Sequence, residues 1–196
     1  MARNWVGDDG MEAWILEIVQ QAKHLAAQRG FQSSCLDEVG RLLALLAGQS
    51  GIDSVLEIGT GCGVSTGWLA SAAIGAVYSV EQDPDLARQV RLLFADWPQI
   101  TVLAGDWQEA LRWGPYGLVF VDAKPAKQAG VEAIVDALSV GGLAVLDDFT
   151  PVEYWPPEWR GKPDTVRDAW LHHPRLLSTE IRTSEKNSVI VARRMH

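Results

Sequence analysis

The sequence has few cysteines, and no hydrophobic run in it is long enough to cross a membrane. Its two cysteines, Cys35 and Cys62, are too few for the disulfide framework of a small secreted protein. The N-terminus carries Asp8 and Asp9 before an amphipathic pattern, which is unlike a signal peptide. Because both a membrane span and a disulfide framework are missing, we expect a cytoplasmic protein without membrane attachment.

The chain also has fewer basic than acidic residues. The chain has 17 Lys and Arg against 25 Asp and Glu, for a net charge of −8. Nucleic-acid binding depends on basic surface, so this balance argues against a nucleic-acid partner and favours a small-molecule ligand. A length of 196 residues with 47% hydrophobic content predicts one domain over residues 1–196. The composition does not decide the oligomeric state, and a homodimer is one possibility.

Several common catalytic motifs are absent, including the nucleophile elbow and the G-x-x-x-x-G-K-[ST] phosphate loop. In their place, an apolar strand pattern over 55–58 leads into Gly59, Gly61 and Gly63, and a helical pattern starts at Val64. Such a turn brings the backbone close to a ligand, and the helix start offers free N–H groups to an anionic moiety. The G-x-G-x-G spacing lacks the third glycine of G-x-G-x-x-G, which counts against an NAD-dependent oxidoreductase.

Strand and helix patterns alternate through the rest of the chain. Two helices are expected first: one over 11–29, and a second that begins after a serine cap at Ser33-Ser34. Further along the chain, Gly141-Gly142 predicts a turn before a strand. This alternation predicts a parallel sheet with helices on both faces, closed by an antiparallel hairpin. The expected later elements are strands 76–80, 100–103, 118–121, 143–146, 176–182 and 188–192, and helices from Asp83-Pro84, over 106–112, 126–138 and 164–172.

Acidic residues follow four of the five predicted parallel strands. They are Glu81, Asp106, Asp122 and the pair Asp147-Asp148. Ligands of open α/β sheets bind at the carboxyl ends of the strands, so we expect these side chains around one site. Glu81 lies 22 residues after Gly59 (81 − 59), and its carboxylate suits the two hydroxyls of a ribose. Alternatively, it only caps the helix that starts at Asp83-Pro84. Asp106 also fits a helix N-cap.

The glycine loop, with Glu57 two positions before it, resembles the first motif of class I S-adenosylmethionine-dependent methyltransferases. That resemblance implies S-adenosylmethionine as cofactor and a Rossmann-like, doubly wound, mostly parallel seven-stranded α/β sheet with a C-terminal antiparallel hairpin. It also implies that helices within 1–50 cover the cofactor and that the Ser33-Ser34 turn contacts its carboxylate, unless both serines only cap a helix. The implied cofactor residues are Glu57, Gly59, Gly61, Gly63, Ser65, Glu81, Asp106, Trp107 and Asp122.

Residues 120–123 and 141–148 are similar to the small O-methyltransferases of the catechol and caffeoyl-CoA type, and the likeness covers about residues 31–148 well. In that family the acid after strand four and an Asp-Asn pair after strand five bind a divalent metal, usually Mg²⁺. The resemblance therefore implies a metal site at Asp122, Asp147 and Asp148. It implies an enzyme that methylates a hydroxyl oxygen of a small acceptor, with Asp122 and Asp147 in catalysis. The tryptophans of segment 149–163 favour a planar, aromatic acceptor. Lys124 joins the catalytic candidates because residues i and i+2 share a side at a strand end.

The chain departs from the family at two places. Asp148 replaces the family's asparagine, and Lys124-Pro125 stand where the family has an acid and a basic lysine. Lys124 could offset the acidic residues without a metal, so Mg²⁺ and Lys124 remain alternatives, as does a cofactor-binding protein with reduced catalysis. The proline- and tryptophan-rich segment 149–163, with Trp155 and Trp159, is expected to form a lid over the acceptor.

Overall fold

The computed structural model describes the backbone of residues 8–196 and the side chains from residue 17 onward. Residues 1–7 of the expected N-terminal cap over 1–50 lie outside the described part. Strands and helices alternate through the middle of the chain, as the apolar periodicity predicts. The strands are β1 (Ser54–Ile58), β2 (Ala76–Glu81), β3 (Ile100–Ala104), β4 (Tyr116–Val121), β5 (Leu138–Phe149), β6 (Leu176–Arg182) and β7 (Ser188–Arg194).

Helices precede and connect the strands. Two of them come before β1, five lie in the crossovers between parallel strands, and one precedes the C-terminal hairpin. Within the described residues, none of these helices combines the length and the apolar character that crossing a membrane requires. The helices are α1 (Asp8–Arg29), α2 (Asp37–Ala47), α3 (Val64–Ala72), α4 (Pro84–Leu93), α5 (Trp107–Leu111), α6 (Lys124–Ala129), α7 (Val131–Ala137) and α8 (Thr165–Leu171).

The seven strands form one sheet in the order β3-β2-β1-β4-β5-β7-β6. The first five pair in parallel, and β7 runs antiparallel between β5 and β6. This arrangement confirms the α/β class, the mostly parallel seven-stranded sheet and the C-terminal hairpin. The chain proceeds outward from β1 to β3 and then returns to β4 on the other side of β1. In such sheets the crevice at the β1/β4 boundary is where ligands bind.

Each face of the sheet is covered by a separate hydrophobic layer. On one face α1 to α4 bury Ile18, Leu43 and Trp68 against the strands. On the other face α5 to α8 bury Ile134 and Trp170. Since β1 and β4 lie in the middle of the sheet and are covered on both sides, β4 is almost continuously apolar, and β1 is apolar apart from Ser54 and the buried Glu57.

The helix predicted over 126–138 is wrong in its extent, because the structure has two shorter helices that meet at Gly130. A Cβ at Gly130 would lie 2.6 Å from the carbonyl oxygen of Ala126 and 2.8 Å from the Trp107 ring. Only glycine fits at this junction. The first of the two helices begins at Lys124, directly after β4, and this early start decides which lysine reaches the acidic residues.

The serine cap predicted for α2 is also wrong. The helix begins at Asp37, and its N-cap residue is Leu36, which makes no side-chain capping hydrogen bond. Ser33 and Ser34 instead lie in the loop between α1 and α2. Neither serine therefore caps α2.

The turn predicted at Gly141-Gly142 lies within a strand. β5 starts at Leu138, and its register with β4 shifts between Tyr116 and Leu118. The irregularity accommodates Gly141, which has a φ of +84°. A bulge therefore replaces the expected turn, and β5 is longer at its start than the apolar run suggested.

The segment after β5 is an ordered loop with a short 3₁₀ turn at Val152–Tyr154. The Trp155 indole donates to the carbonyl of Thr150 over 2.9 Å and is 9% exposed. The Arg167 guanidinium lies 5.6 Å from the centre of the Trp155 ring and also donates to the Thr150 carbonyl. Trp159 is 50% exposed. Trp155 thus packs as part of the loop's own core, while Trp159 extends toward solvent.

The buried carboxylate of Glu57 connects three elements around the glycine loop. One of its oxygens accepts hydrogen bonds of 2.5 Å from the hydroxyls of Thr66 in α3 and Ser79 in β2. Ser79 is also 2.6 Å from the hydroxyl of Thr60, inside the loop. The side chain is completely buried, and burial raises the pKa of Glu57 to about 7 although these hydroxyls stabilise the anion.

We expect Glu57→Gln to flatten the dependence of stability on pH. The pKa of Glu57 rises from 4.5 to about 7 on folding, so the folded state binds more protons than the unfolded state between these values. Its contribution to stability therefore falls as pH rises through this window. The free energy of unfolding of the wild type should drop by about 1–3 kcal/mol more than that of the variant between about pH 5 and pH 8.

Urea unfolding at a series of pH values measures this difference. Glu158→Gln, in an exposed loop, is the matched control and should follow the wild-type profile. Parallel profiles for wild type and Glu57→Gln would contradict the assignment of the titration to Glu57.

Candidate active site

A cavity of about 230 Å³ opens at the carboxyl ends of the central strands, on the α1–α4 side. The glycine loop forms one wall, and the loop between α1 and α2 forms the opposite one. Acidic residues from the ends of β2, β4 and β5 complete the cavity. Its lining residues are Phe31, Ser33, Ser34, Cys35, Gly59, Thr60, Gly61, Cys62, Val64, Ser65, Glu81, Leu86, Asp122 and Asp148.

The glycine loop needs its first two glycines for distinct reasons. Gly59 and Gly61 have φ values of +102° and +52°, which L-amino acids with side chains rarely adopt. A Cβ at Gly59 would lie 3.3 Å from the backbone of Asp122, and one at Gly61 would lie 3.1 Å from the Phe31 ring. The loop therefore packs closely against β4 and the α1–α2 loop while it exposes backbone to the cavity. Gly63 caps α3 and does not line the cavity.

Glu81 links the end of β2 to the glycine loop. One carboxylate oxygen accepts from the N–H of Gly61 at 2.9 Å, and the other accepts from the N–H of Asp83 at 3.0 Å. The side chain is half-buried and lines the cavity. Each oxygen can accept a second hydrogen bond, so Glu81 can serve a ligand and the loop together.

Two cofactor residues expected after β3 lie at the start of α5. Asp106 caps this helix, since its carboxylate accepts from the N–H of Gln108 at 2.9 Å. The Trp107 ring packs over Gly130, at the junction of α6 and α7. Neither residue lines the cavity, and neither does Glu57, which lies buried beneath the glycine loop.

Three carboxylates gather where β4 and β5 end. One oxygen from each of Asp122, Asp147 and Asp148 lies within 4.8 Å of the others, and we call this set the acid cluster. Asp147 is 3% exposed, and its Oδ1 accepts from the Asn187 amide and the Asp148 N–H, both at 2.8 Å. Asp148 has a φ of +64°, a conformation that aspartate and asparagine tolerate better than most residues.

Burial and mutual repulsion disfavour ionisation in the acid cluster. Burial raises the pKa of Asp122, and the neighbouring Asp148 carboxylate raises it further. Burial likewise raises the pKa of Asp147, although the Asn187 amide stabilises its charged form. The acid cluster therefore favours an additional positive charge.

The positive charge beside the acid cluster comes from Lys127. Its Nζ lies 3.0 Å from the carbonyl oxygen of Asp147, 3.4 Å from Asp148 Oδ2 and 3.9 Å from Asp122 Oδ1. Lys124, which the sequence suggested for this role, is exposed at the first position of α6. Within the described part of the chain, the ammonium in contact with the acid cluster belongs to Lys127.

The error about Lys124 has a simple geometric origin. An extended chain after β4 would place residues Asp122 and Lys124 on the same side, but the chain becomes helical at Lys124. A residue one turn further along is then directed back over the strand ends. The helical start at Lys124-Pro125 was the signal that could have identified Lys127. Asn187 lies in the turn of the C-terminal hairpin, and its contact with Asp147 in β5 had no signal in the sequence.

A protein family described as a methyltransferase domain matches residues 56–149 of this chain. These residues run from β1 to the end of β5. They therefore contain the glycine loop, Glu81 and the whole acid cluster.

Curated relatives include a probable O-methyltransferase from Mycobacterium tuberculosis, which is 39% identical over 118 residues. A similar protein from Mycobacterium avium is 36% identical over the same length. In both cases the alignment covers 55% of this chain and 53% of the relative. The chain thus spans about half the length of the curated relatives that it matches.

Solved structures share the fold over most of the chain. The O-methyltransferase TomG from Streptomyces achromogenes, in complex with S-adenosylmethionine, is 21% identical, with a TM-score of 0.77 and coverage of 92% of this chain and 90% of that one. An O-methyltransferase from Bacillus cereus, in complex with S-adenosylhomocysteine, is 19% identical, with a TM-score of 0.75 and coverage of 94% and 100%. At such identities these likenesses establish the fold.

The domain match, the curated relatives and the shared fold agree with the motifs of the glycine loop and the strand ends. They confirm a methyltransferase domain over residues 56–149 and the likeness of the chain to class I S-adenosylmethionine-dependent methyltransferases, in particular to their small O-methyltransferases.

Proposed function

We propose that this protein transfers the methyl group of S-adenosylmethionine to a hydroxyl oxygen of a small, aromatic acceptor. The observation that carries the proposal is the single cavity that joins the glycine loop and Glu81 to the carboxylates of Asp122 and Asp148. A cofactor bound along the loop would have its reactive end near the acid cluster. The cofactor's sulfonium is a cation, so the carboxylates that line the cavity would attract it.

The cofactor contacts follow from the groups that line the cavity. The N–H groups at the start of α3, with the hydroxyl of Ser65, would bind the carboxylate of the methionine moiety. The Ser34 hydroxyl is buried and makes no hydrogen bond among the described residues, so it can contribute to the same subsite. Glu81 would accept from the ribose hydroxyls. Asp106 and Trp107 would lie further out, toward the adenine.

The acid cluster has the composition of a magnesium site. One oxygen from each residue lies within 4.8 Å of the others, and carboxylate oxygens are the hard ligands that Mg²⁺ prefers, which supports a shared ion. Asp122, Asp147 and Asp148 would hold the ion, which would lower the pKa of the acceptor hydroxyl and orient its oxygen. The residues of the chain would bind the cofactor, position the acceptor and exclude water from the reacting atoms.

Binding and turnover test the proposal directly. Calorimetric titration should show binding of S-adenosylmethionine and no comparable binding of NAD, which addresses the oxidoreductase alternative. Transfer of a labelled methyl group to members of a panel of catechols and phenols should follow. Cofactor binding without transfer to any of them would instead favour a cofactor-binding protein with reduced catalysis.

We expect Glu81→Ala to weaken S-adenosylmethionine binding by about 2 kcal/mol, a rise in Kd of about thirtyfold. The change removes the charged acceptor of the ribose hydroxyls and releases the N–H of Gly61. Calorimetry on the folded variant measures the effect. Asp85→Ala, an exposed acid in the next helix, is the matched control and should bind as the wild type does. An unchanged Kd for Glu81→Ala would remove this residue from the cofactor site.

We expect chelation of divalent cations to reduce turnover by about tenfold or more while the Kd for S-adenosylmethionine changes less than about twofold. Asp147→Asn should act in the same direction, because it weakens a buried ligand and leaves an acceptor for the N–H of Asp148. Kinetics with and without EDTA measure the effect, and readdition of Mg²⁺ to the wild type is the control. Full turnover by protein shown to be metal-free would contradict the metal proposal.

The two tryptophans of segment 149–163 should behave differently. Trp155→Ala should lower the free energy of unfolding by about 2–4 kcal/mol, because the ring is buried against Arg167 and its indole N–H donates a hydrogen bond to the Thr150 carbonyl. If the segment is a lid, Trp159→Ala should raise the acceptor's KM and lower stability by less than about 1 kcal/mol. Thermal unfolding and steady-state kinetics separate the two effects. An unaltered KM in Trp159→Ala would argue against the lid.

A further inference from the structure

The ammonium of Lys127 is fixed beside the carboxylates that the metal proposal requires. The Lys127 side chain is 10% exposed, and its Nζ contacts the carbonyl of Asp147 and the carboxylate of Asp148. The Lys127 main-chain carbonyl accepts a hydrogen bond of 2.9 Å from the indole of the fully buried Trp170. Lys127 is therefore held at its main chain by Trp170 of α8 and at its ammonium by the acid cluster.

A divalent ion at the acid cluster would encounter this ammonium directly. Asp122 Oδ1 and Asp148 Oδ2, the carboxylate oxygens that pair with Nζ, belong to two of the three residues that would bind the ion. Like charges at such separations repel strongly in a partly buried site, where water screens them poorly. The ion must displace the ammonium or bind beside it, and either event weakens binding.

We propose that Lys127 is the resident counter-cation of the acid cluster and that it competes with the divalent metal for these carboxylates. The inference rests on the metal site of the proposed function. Its consequence is a weakly held, exchangeable ion whose affinity is set by an internal lysine. When the metal is absent, Lys127 partly neutralises the three acids and keeps the site folded.

The affinity of Mn²⁺, followed by electron paramagnetic resonance, tests this competition without reference to activity. Lys127→Met should bind Mn²⁺ about tenfold or more tightly than the wild type, because the competing charge is gone. Lys124→Met removes the same charge one helical turn earlier, where the side chain is exposed, and should alter the affinity less than about twofold. Lys127→Gln, which keeps a donor for the Asp147 carbonyl, should behave as Lys127→Met does.

Three results would overturn the proposal. They are an unchanged or weaker affinity in both Lys127 variants, an equal gain in Lys124→Met, or no Mn²⁺ binding by any of the proteins. Failure of the proposed function is detected separately, because wild-type protein would then not bind S-adenosylmethionine in the calorimeter.

A second measurement on the unchanged protein covers the case in which the Lys127 variants do not fold. Reductive methylation of lysines, read by mass spectrometry, should modify Lys127 slowly in EDTA and several-fold faster with saturating Mg²⁺, which frees the ammonium from the acid cluster. Lys124 should react at one rate in both conditions. Equal rates for Lys127 with and without Mg²⁺ would contradict the displacement.

Discussion

The hydrogen bonds to the buried Glu57 carboxylate hold the glycine loop in place beside the cavity. They connect β1 to Thr66 of α3 and to Ser79 of β2, and through Ser79 to Thr60 of the glycine loop. A carboxylate is costly to bury, so these donors and the acid have to occur together. Since β1 lies at the centre of the sheet, the loop that follows it is held at the point where the strand order reverses.

Electrostatic repulsion is the second constraint on the site. The parallel strands bring Asp122 together with Asp147 and Asp148, and an added positive charge makes this arrangement more favourable. Lys127 supplies one charge from within the chain, and a metal ion or the sulfonium of the cofactor would supply more. The same carboxylates thus connect the cavity, the proposed metal site and the helix after β4.

Sequence patterns predicted the sheet well because its central strands are buried on both faces. The apolar runs of β1 and β4, the glycine loop and the acids at strand ends are local features that can be read from neighbouring residues. The ends of helices and strands were predicted less well where a glycine interrupts the regular backbone. The helical break at Gly130 depends on the close approach of Trp107, and the bulge around Gly141 depends on the pairing of β5 with β4. Both contacts involve residues distant in sequence.

The sequence by itself determined the fold class, the glycine loop and the set of acidic residues, because strand and helix periodicity, glycine spacing and strand-end position are properties of short segments. Tertiary structure alone decided which side chains meet. It placed Lys127 rather than Lys124 against the acid cluster, because the chain becomes helical immediately after β4. It also brought Asn187 to Asp147 and packed Trp155 on Arg167, since the C-terminal hairpin pairs beside β5 and α8 packs on one face of the sheet. Such contacts depend on the relative placement of whole elements, which no local pattern specifies.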